Sequence, residues 1–262
     1  KWLKRPYVLL EDGFIRSLHR HDPPLSLLID STGTYYDATA TSDMETAIAG
    51  GVSGEQAIRA RALMTQWQNA AISKYNHSPN YSGQLPDHYV LVVDQTAGDL
   101  SLALGMADTA SFARMLQAAI HENPDCVVVV KVHPDVFSHK KRGNFTPAEL
   151  THPNIILIGD DCHAASLLRG AKTVYTVTSL MGFEALIWGK PTRCFAMPFY
   201  AGWGLTLDDM SPPTRRHAAP LESLLFAALV TNARYINPAD GTIWQAEDAI
   251  AYIGQARKKL GL

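Results

Sequence analysis

The chain has 262 residues, enough for one large domain or two medium ones, and its 47% hydrophobic content supplies a core and excludes a disordered chain. Its 23 Lys+Arg nearly cancel 25 Asp+Glu, leaving −2, so it carries no chain-wide basic footprint for nucleic acid. No apolar run reaches the roughly 18 residues of a membrane helix. No secretory signal is visible, and the start at Lys1 rather than Met fits a processed chain or a piece of a longer one. In chain order, Tyr7–Leu10 and Leu25–Ile29 read as short strands, with Thr34–Tyr36 extending that sheet. Ser42–Gly54 reads as a short connection. From about Glu55 to Tyr75, Ile58, Leu63, Met64, Trp67 and Ile72 fall on one helical face. Asn76–Asp87 is rich in Pro, Gly, Ser and Asn and reads as a linker or long loop.

Beyond that segment the period changes. Tyr89–Val93, Val127–Val132, Ile155–Ile158, Val174–Val177 and Arg193–Met197 are short, β-branched apolar runs of the kind found in strands buried on both faces. Helical stretches lie between most of them, at about Thr109–Glu122, His163–Leu168 and Met181–Trp188. This alternation predicts an α/β fold with a parallel, Rossmann-like sheet. Two closing helices follow, at about Leu221–Asn232 and Gln245–Leu260. The expected division is an incomplete α/β region over 1–87 and a Rossmann-like domain over 88–262. Three scattered cysteines, Cys126, Cys162 and Cys194, fit neither a disulfide framework nor a zinc site. They read as buried thiols in a reducing compartment.

Ligands of open parallel sheets bind beyond the carboxyl ends of the strands. Those ends here are polar. Thr178 and Ser179 stand between a strand and a helix, where backbone N–H groups favour an anion, although Ser179 would also serve as a plain N-cap. Glu184, inside that helix, suits a ribose diol or is a solvated carboxylate. His133, kept extended by Pro134, and Lys131, two positions earlier on the same face, suit a phosphate or carboxylate. Asp99 lies in a Gly-containing turn and Glu11-Asp12-Gly13 in another. Carboxylates from the two regions facing one crevice would suit acid–base or nucleophilic work, and simple turns are the alternative. The run Pro198–Thr206 reads either as a loop over a ring or sugar or as an aromatic clasp. Arg215-Arg216-His217 and Arg257-Lys258-Lys259 read as solvated surface, or as a contact for anionic lipid. The dinucleotide, P-loop, nucleophile-elbow and HExxH signatures are absent from the sequence.

Taken in order, Glu11–Ser17 (EDGFIRS), Pro24–Leu27, Tyr35–Asp37, Ser73–Asn76, Gln95–Asp99 (QTAGD), Lys131–Pro134, Thr178–Leu186 (TSLMGFEAL), Trp188–Pro191 and Pro198–Thr206 (PFYAGWGLT) resemble one module of the bacterial capsule polysaccharide β-Kdo transferases, the KpsC type. The resemblance runs from residue 7 to about residue 210. It implies a GT-B-like fold of two Rossmann-like domains with parallel sheets, the N-terminal one reduced or truncated. It also implies CMP-β-Kdo as donor, retention of the β configuration, and a Kdo-bearing glycolipid acceptor. The setting would be cytoplasmic, peripheral at the inner face of the cytoplasmic membrane, beside other capsule assembly proteins or a second module. Neither a cofactor nor a metal is expected, since CMP is a single-phosphate leaving group. On the same resemblance Asp99, after the substrate-binding Gln95, is the nucleophile, Glu11 or Asp12 the acid/base, and His133 binds or protonates the leaving CMP phosphate. Ser179 and Glu184 hold CMP, with Thr178, Gly182 and Lys131 beside them, and Arg16 pairs with the Kdo carboxylate. The competing readings are an inverting CMP-sialic-acid-type transferase, which needs no nucleophile, and a non-catalytic CMP-binding scaffold.

Overall fold

The computed structural model describes residues 7–132, 136 and 142–262. In chain order its strands are β1 (Leu9–Asp12), β2 (Ser26–Asp30), β3 (Tyr89–Val93), β4 (Val127–Lys131), β5 (Ile155–Ile158), β6 (Ala171–Thr176), β7 (Thr192–Cys194), β8 (Leu207–Asp208), β9 (Ala233–Ile236) and β10 (Ile243–Trp244). The helices are α1 (Asp43–Ala49), α2 (Gly54–Ala70), α3 (Leu100–Leu104), α4 (Ser111–Glu122), α5 (Ala164–Leu168), α6 (Leu180–Ile187), α7 (Leu221–Phe226) and α8 (Ala246–Lys259). A π-helical turn, Ala227–Thr231, continues α7. The chain divides into two compact units, one of residues up to Ser78 together with Ala219–Leu262, the other Pro79–Ala218.

The first unit carries a four-stranded sheet in the order β1-β2-β9-β10. Every neighbouring pair is antiparallel, which corrects the expectation of a second parallel, Rossmann-like sheet. The physical reason lies in the connection. Parallel neighbours need a crossover, usually a helix, and no helix lies between β1 and β2. Gly13 closes this pair: its N–H donates to Ser26 O at 2.9 Å, and a Cβ there would lie 2.0 Å from Ser26 Oγ. Helix α2 opens with a Ser53/Gln56 capping box. It stops at left-handed Ala71 (φ 49°), short of the Tyr75 expected from periodicity.

The closing segment belongs with this first unit, which corrects its placement in the 88–262 domain and moves the boundary to Ser78/Pro79. β9 pairs with β2, Ser26 opposite Tyr235. The buried Ala60, Leu63 and Trp67 of α2 need cover, and α8 offers a buried face of Ala249, Ile250 and Ile253. Arg59–Glu247 at 2.8 Å joins α2 to α8, and Arg61–Glu222 at 2.7 Å joins α2 to α7. Arg257 is buried and donates to Asn76 O at 2.5 Å, and Arg216 of the second unit is buried as well. These two are therefore neither solvated surface nor lipid contacts.

The second unit is built on a six-stranded sheet, β5-β4-β3-β6-β7-β8, with every neighbouring pair parallel. Counted in chain order within this sheet, the strands run 3-2-1-4-5-6, the doubly wound order. All five residues of β3 are buried, as a central strand covered on both faces requires. Helix α4 lays Phe112, Met115, Leu116 and Ala119 on one face of the sheet. Leu167, Leu168 and Ala185 of α5 and α6 cover the other. The α/β class and the parallel sheet match the sequence reading. No helix among the described residues is long and apolar enough to cross a membrane.

Candidate active site

Doubly wound sheets open a crevice where the strand order reverses. In this sheet that point lies between β3 and β6, whose carboxyl ends lead into Asp94–Asp99 and Val177–Ser179. Gln95 and Thr178, both buried, clamp the two ends together. Thr178 N–H donates to Gln95 Oε1 at 2.9 Å, and Gln95 Nε2 donates to Thr178 Oγ1 at 3.0 Å. Ser101 Oγ joins Thr178 Oγ1 at 3.0 Å and ties α3 to the same node. Gly98 (φ 84°) turns the chain in the left-handed region. Asp99 then stands exposed as the N-cap of α3, with Oδ1 accepting from Ser101 N at 2.9 Å. Among the described residues its Oδ2 takes no hydrogen bond.

Asp94 directly follows β3. It is buried, and burial pushes its carboxyl above the ordinary value, hydrogen bonds from Asn144 and Gln95 opposing. Asn144 Nδ2 donates to Asp94 Oδ1 at 3.1 Å and to Gln95 O at 2.6 Å, and Ala97 N–H donates to Arg142 O at 2.9 Å. The 142–144 segment thus straps the 94–97 turn. Asn144 gave no local signal in the sequence, since its partner lies 50 positions away.

Ser179 caps α6, with Oγ accepting from Met181 N at 3.3 Å. Gly182 and Glu184 are buried within that helix. Lys131 is buried at the end of β4, and its ammonium donates to Val132 O at 2.8 Å and Asp160 O at 2.9 Å. Burial holds its pKa below the ordinary value. His133 lies outside the described residues.

Glu11, Asp12 and Arg16 belong to the first unit. Glu11 Oε1 accepts from Tyr36 Oη at 2.9 Å. Asp12 Oδ2 takes Arg16 Nε at 2.7 Å. Arg16 Nη1 donates to Ser17 Oγ, Arg20 O and Asp22 O at 2.9–3.0 Å. Arg16 therefore braces the 12–22 loop, an employment its place in the sequence did not disclose. Among the described residues no group of three or more His, Cys, Asp or Glu side chains is placed to hold a metal.

Fold and strand ends together define a doubly wound α/β protein with polar side chains gathered at its switch point. The family model described as capsule polysaccharide biosynthesis protein matches residues 54–237, and the chain belongs to that family. It is 39% identical over 272 residues to the capsule polysaccharide modification protein LipA of Neisseria meningitidis serogroup A, covering 97% of this chain and 38% of that protein. It is 38% identical over 256 residues to the lipopolysaccharide-processing protein LpsZ of Rhizobium meliloti, covering 94% of this chain and 58% of that one. The chain thus spans less than two thirds of either relative. Among solved structures it is similar to the Thermosulfurimonas dismutans KpsC β-Kdo 2,4 transferase (TM-score 0.87, 39% identity, 95% of this chain and 79% of that chain). The KpsC β-Kdo 2,7 transferase of the same organism gives a TM-score of 0.72 at 30% identity, covering 95% of this chain and 77% of that one. The KpsC-type resemblance read from the motifs is borne out.

Proposed function

We propose that the chain is a Kdo transferase module of capsule polysaccharide synthesis, retaining the β configuration and using CMP-Kdo as donor. The observation that carries the reading is the switch point. There the Gln95–Thr178 clamp sets the Asp99 turn and the start of α6 side by side, in a chain 39% identical to a β-Kdo transferase structure over 95% of its length. In the proposed reaction Asp99 Oδ2 attacks the anomeric carbon of Kdo. The bond from that carbon to the phosphate oxygen breaks, and CMP leaves with the electron pair. An acceptor hydroxyl then attacks the same carbon and the Asp99 carboxylate departs. The hydroxyl proton passes to Glu11 or Asp12, and two inversions retain configuration. Ser179, Thr178 and Glu184 hold CMP, the start of α6 favouring its phosphate, with His133 and Lys131 supplying further donors. Arg16 pairs with the Kdo carboxylate through Nη2, since Asp12 takes its Nε and three oxygen acceptors take its Nη1.

The acceptor is a Kdo-bearing glycolipid met at the inner face of the cytoplasmic membrane, through peripheral contact. The partners are other capsule assembly proteins or a second transferase module, in keeping with a chain that spans 38% of LipA. The test follows release of CMP from CMP-Kdo with such an acceptor, and the anomeric configuration of the product. Turnover with a β product, lost in Asp99→Ala, supports the reading. An inverted product, or CMP binding without turnover, favours the sialic-acid-type or scaffold alternative.

A further inference from the structure

The PFYAGWGLT run enters neither the clamp nor the proposed chemistry, yet its aromatics are buried: Phe199, Tyr200 and Trp203 are 4%, 0% and 1% exposed. Phe199 packs on Phe183 and Tyr200, and Arg216 covers the Trp203 ring, so they do not form an open platform for a sugar. We infer that Tyr200 is a positioning residue that fixes the Ser179 peptide at the start of α6, and with it the nucleotide site; this rests on the CMP-site reading above. Tyr200 Oη donates to Ser179 O at 2.5 Å. On the other side of the same residue, Ser179 N–H donates to Thr176 Oγ1 at 3.1 Å. Both backbone groups of Ser179 are therefore tied, which sets where its Oγ and the following N–H groups point. Burial lifts the Tyr200 phenol well above its ordinary value, a hydrogen bond from Thr176 opposing, so the phenol stays a neutral donor.

Two further observations show that Tyr200 is held in this place. A Cβ on Gly182 would lie 2.2 Å from Tyr200 Oη and 2.8 Å from Thr176 Cγ2. Only glycine at 182 lets the phenol pass beneath the helix to the carbonyl. The loop itself is pinned, with Trp203 Nε1 donating to Phe199 O at 2.9 Å and Arg216 Nη1 donating to Pro198 O at 2.8 Å and Ala201 O at 2.9 Å. The Arg216 guanidinium lies over the Trp203 ring, 5.6 Å from its centroid. Ring and arginine anchor the loop, and one hydroxyl transmits that rigidity to Ser179.

The experiment measures CMP affinity by titration calorimetry on the full chain. Tyr200→Phe keeps the ring and deletes only Oη. It is expected to weaken CMP binding about tenfold, as loss of one hydrogen bond implies. Thr176→Val is expected to do the same, Thr176→Ser to stay within about twofold, and the Phe/Val double variant to be no worse than about either single one, because both act through one peptide. A role limited to packing would lower the melting temperature and leave CMP affinity unchanged. Tyr200→Phe and Thr176→Val binding CMP as tightly as wild type would overturn the inference alone. A wild-type chain that does not bind CMP would overturn the nucleotide-site reading and this inference with it.

Discussion

Replacing Gln95 by Leu tests the clamp at the switch point. Leu fills nearly the same volume but accepts no hydrogen bond. Thr178 N–H then loses its acceptor at 2.9 Å in a buried position, while Thr178 Oγ1 keeps Ser101. An orphaned buried donor costs about 1–3 kcal/mol, so the second unit should lose about 2 kcal/mol of stability. Thr178→Val removes the complementary group. It leaves Gln95 Nε2 without the acceptor at 3.0 Å, at a cost of about 1–2 kcal/mol. The two side chains meet directly, so the double variant should lose less than the sum, with a coupling of about 1 kcal/mol. Urea unfolding of the four proteins, with unchanged m-values, measures this. Additive losses, or a Gln95→Leu variant within about 0.5 kcal/mol of wild type, would refute the claim that this pair ties β3 to β6.

Lys131→Met probes the buried ammonium. Burial lowers the folded-state pKa below the ordinary 10.5, so the unfolded chain binds more protons across that window. Wild-type stability should therefore rise relative to the variant as pH climbs through the folded pKa towards 10.5. Urea midpoints near neutrality and at about pH 10 read the difference, and a wild-type stability that falls relative to the variant with rising pH contradicts the assignment. Gly13→Ala places a methyl 2.0 Å from Ser26 Oγ and 3.0 Å from Ser26 backbone carbon. It should destabilise the first unit by about 1–3 kcal/mol, seen as a lower melting temperature. Arg257→Met withdraws the donor to Asn76 O and should cost about 1.5–3 kcal/mol in chemical denaturation, whereas Lys258→Met, at an exposed neighbour, should be near neutral.

The parts of the fold that were legible are those in which local pattern and final environment agree. Tyr89–Val93 is an unbroken apolar run because β3 is covered on both faces. β9 alternates buried Ala233 and Tyr235 with exposed Arg234 and Ile236 and is only four residues long, so no run announces it. Helix α1 had a signal in Ser42, whose side chain accepts from Glu45 N, but its seven residues read as connection. Helix α3 is too short for a period. The domain boundary failed for another reason: β2 and β9 pair across the whole length of the second unit, and no local pattern encodes such a contact. The site shows the same division. Gln95, Thr178, Ser179 and Asp99 were each visible as polar residues after buried strands. That Gln95 spends both ends of its amide on Thr178, 83 positions on, is visible only in three dimensions. The carbonyls that accept from Lys131 and Arg16 lie in loops the sequence does not bring together.

In the proposed reaction Asp99 becomes covalently bonded to the sugar. Intact mass spectrometry of the full chain mixed with CMP-Kdo, generated in place, tests it directly, with Asp99→Ala alongside. A mass increase of one Kdo residue is expected on wild type, carried by the peptide containing Asp99, and none on the variant. A wild-type chain that turns over donor to acceptor without ever carrying the adduct, or an adduct that persists in Asp99→Ala, would contradict it.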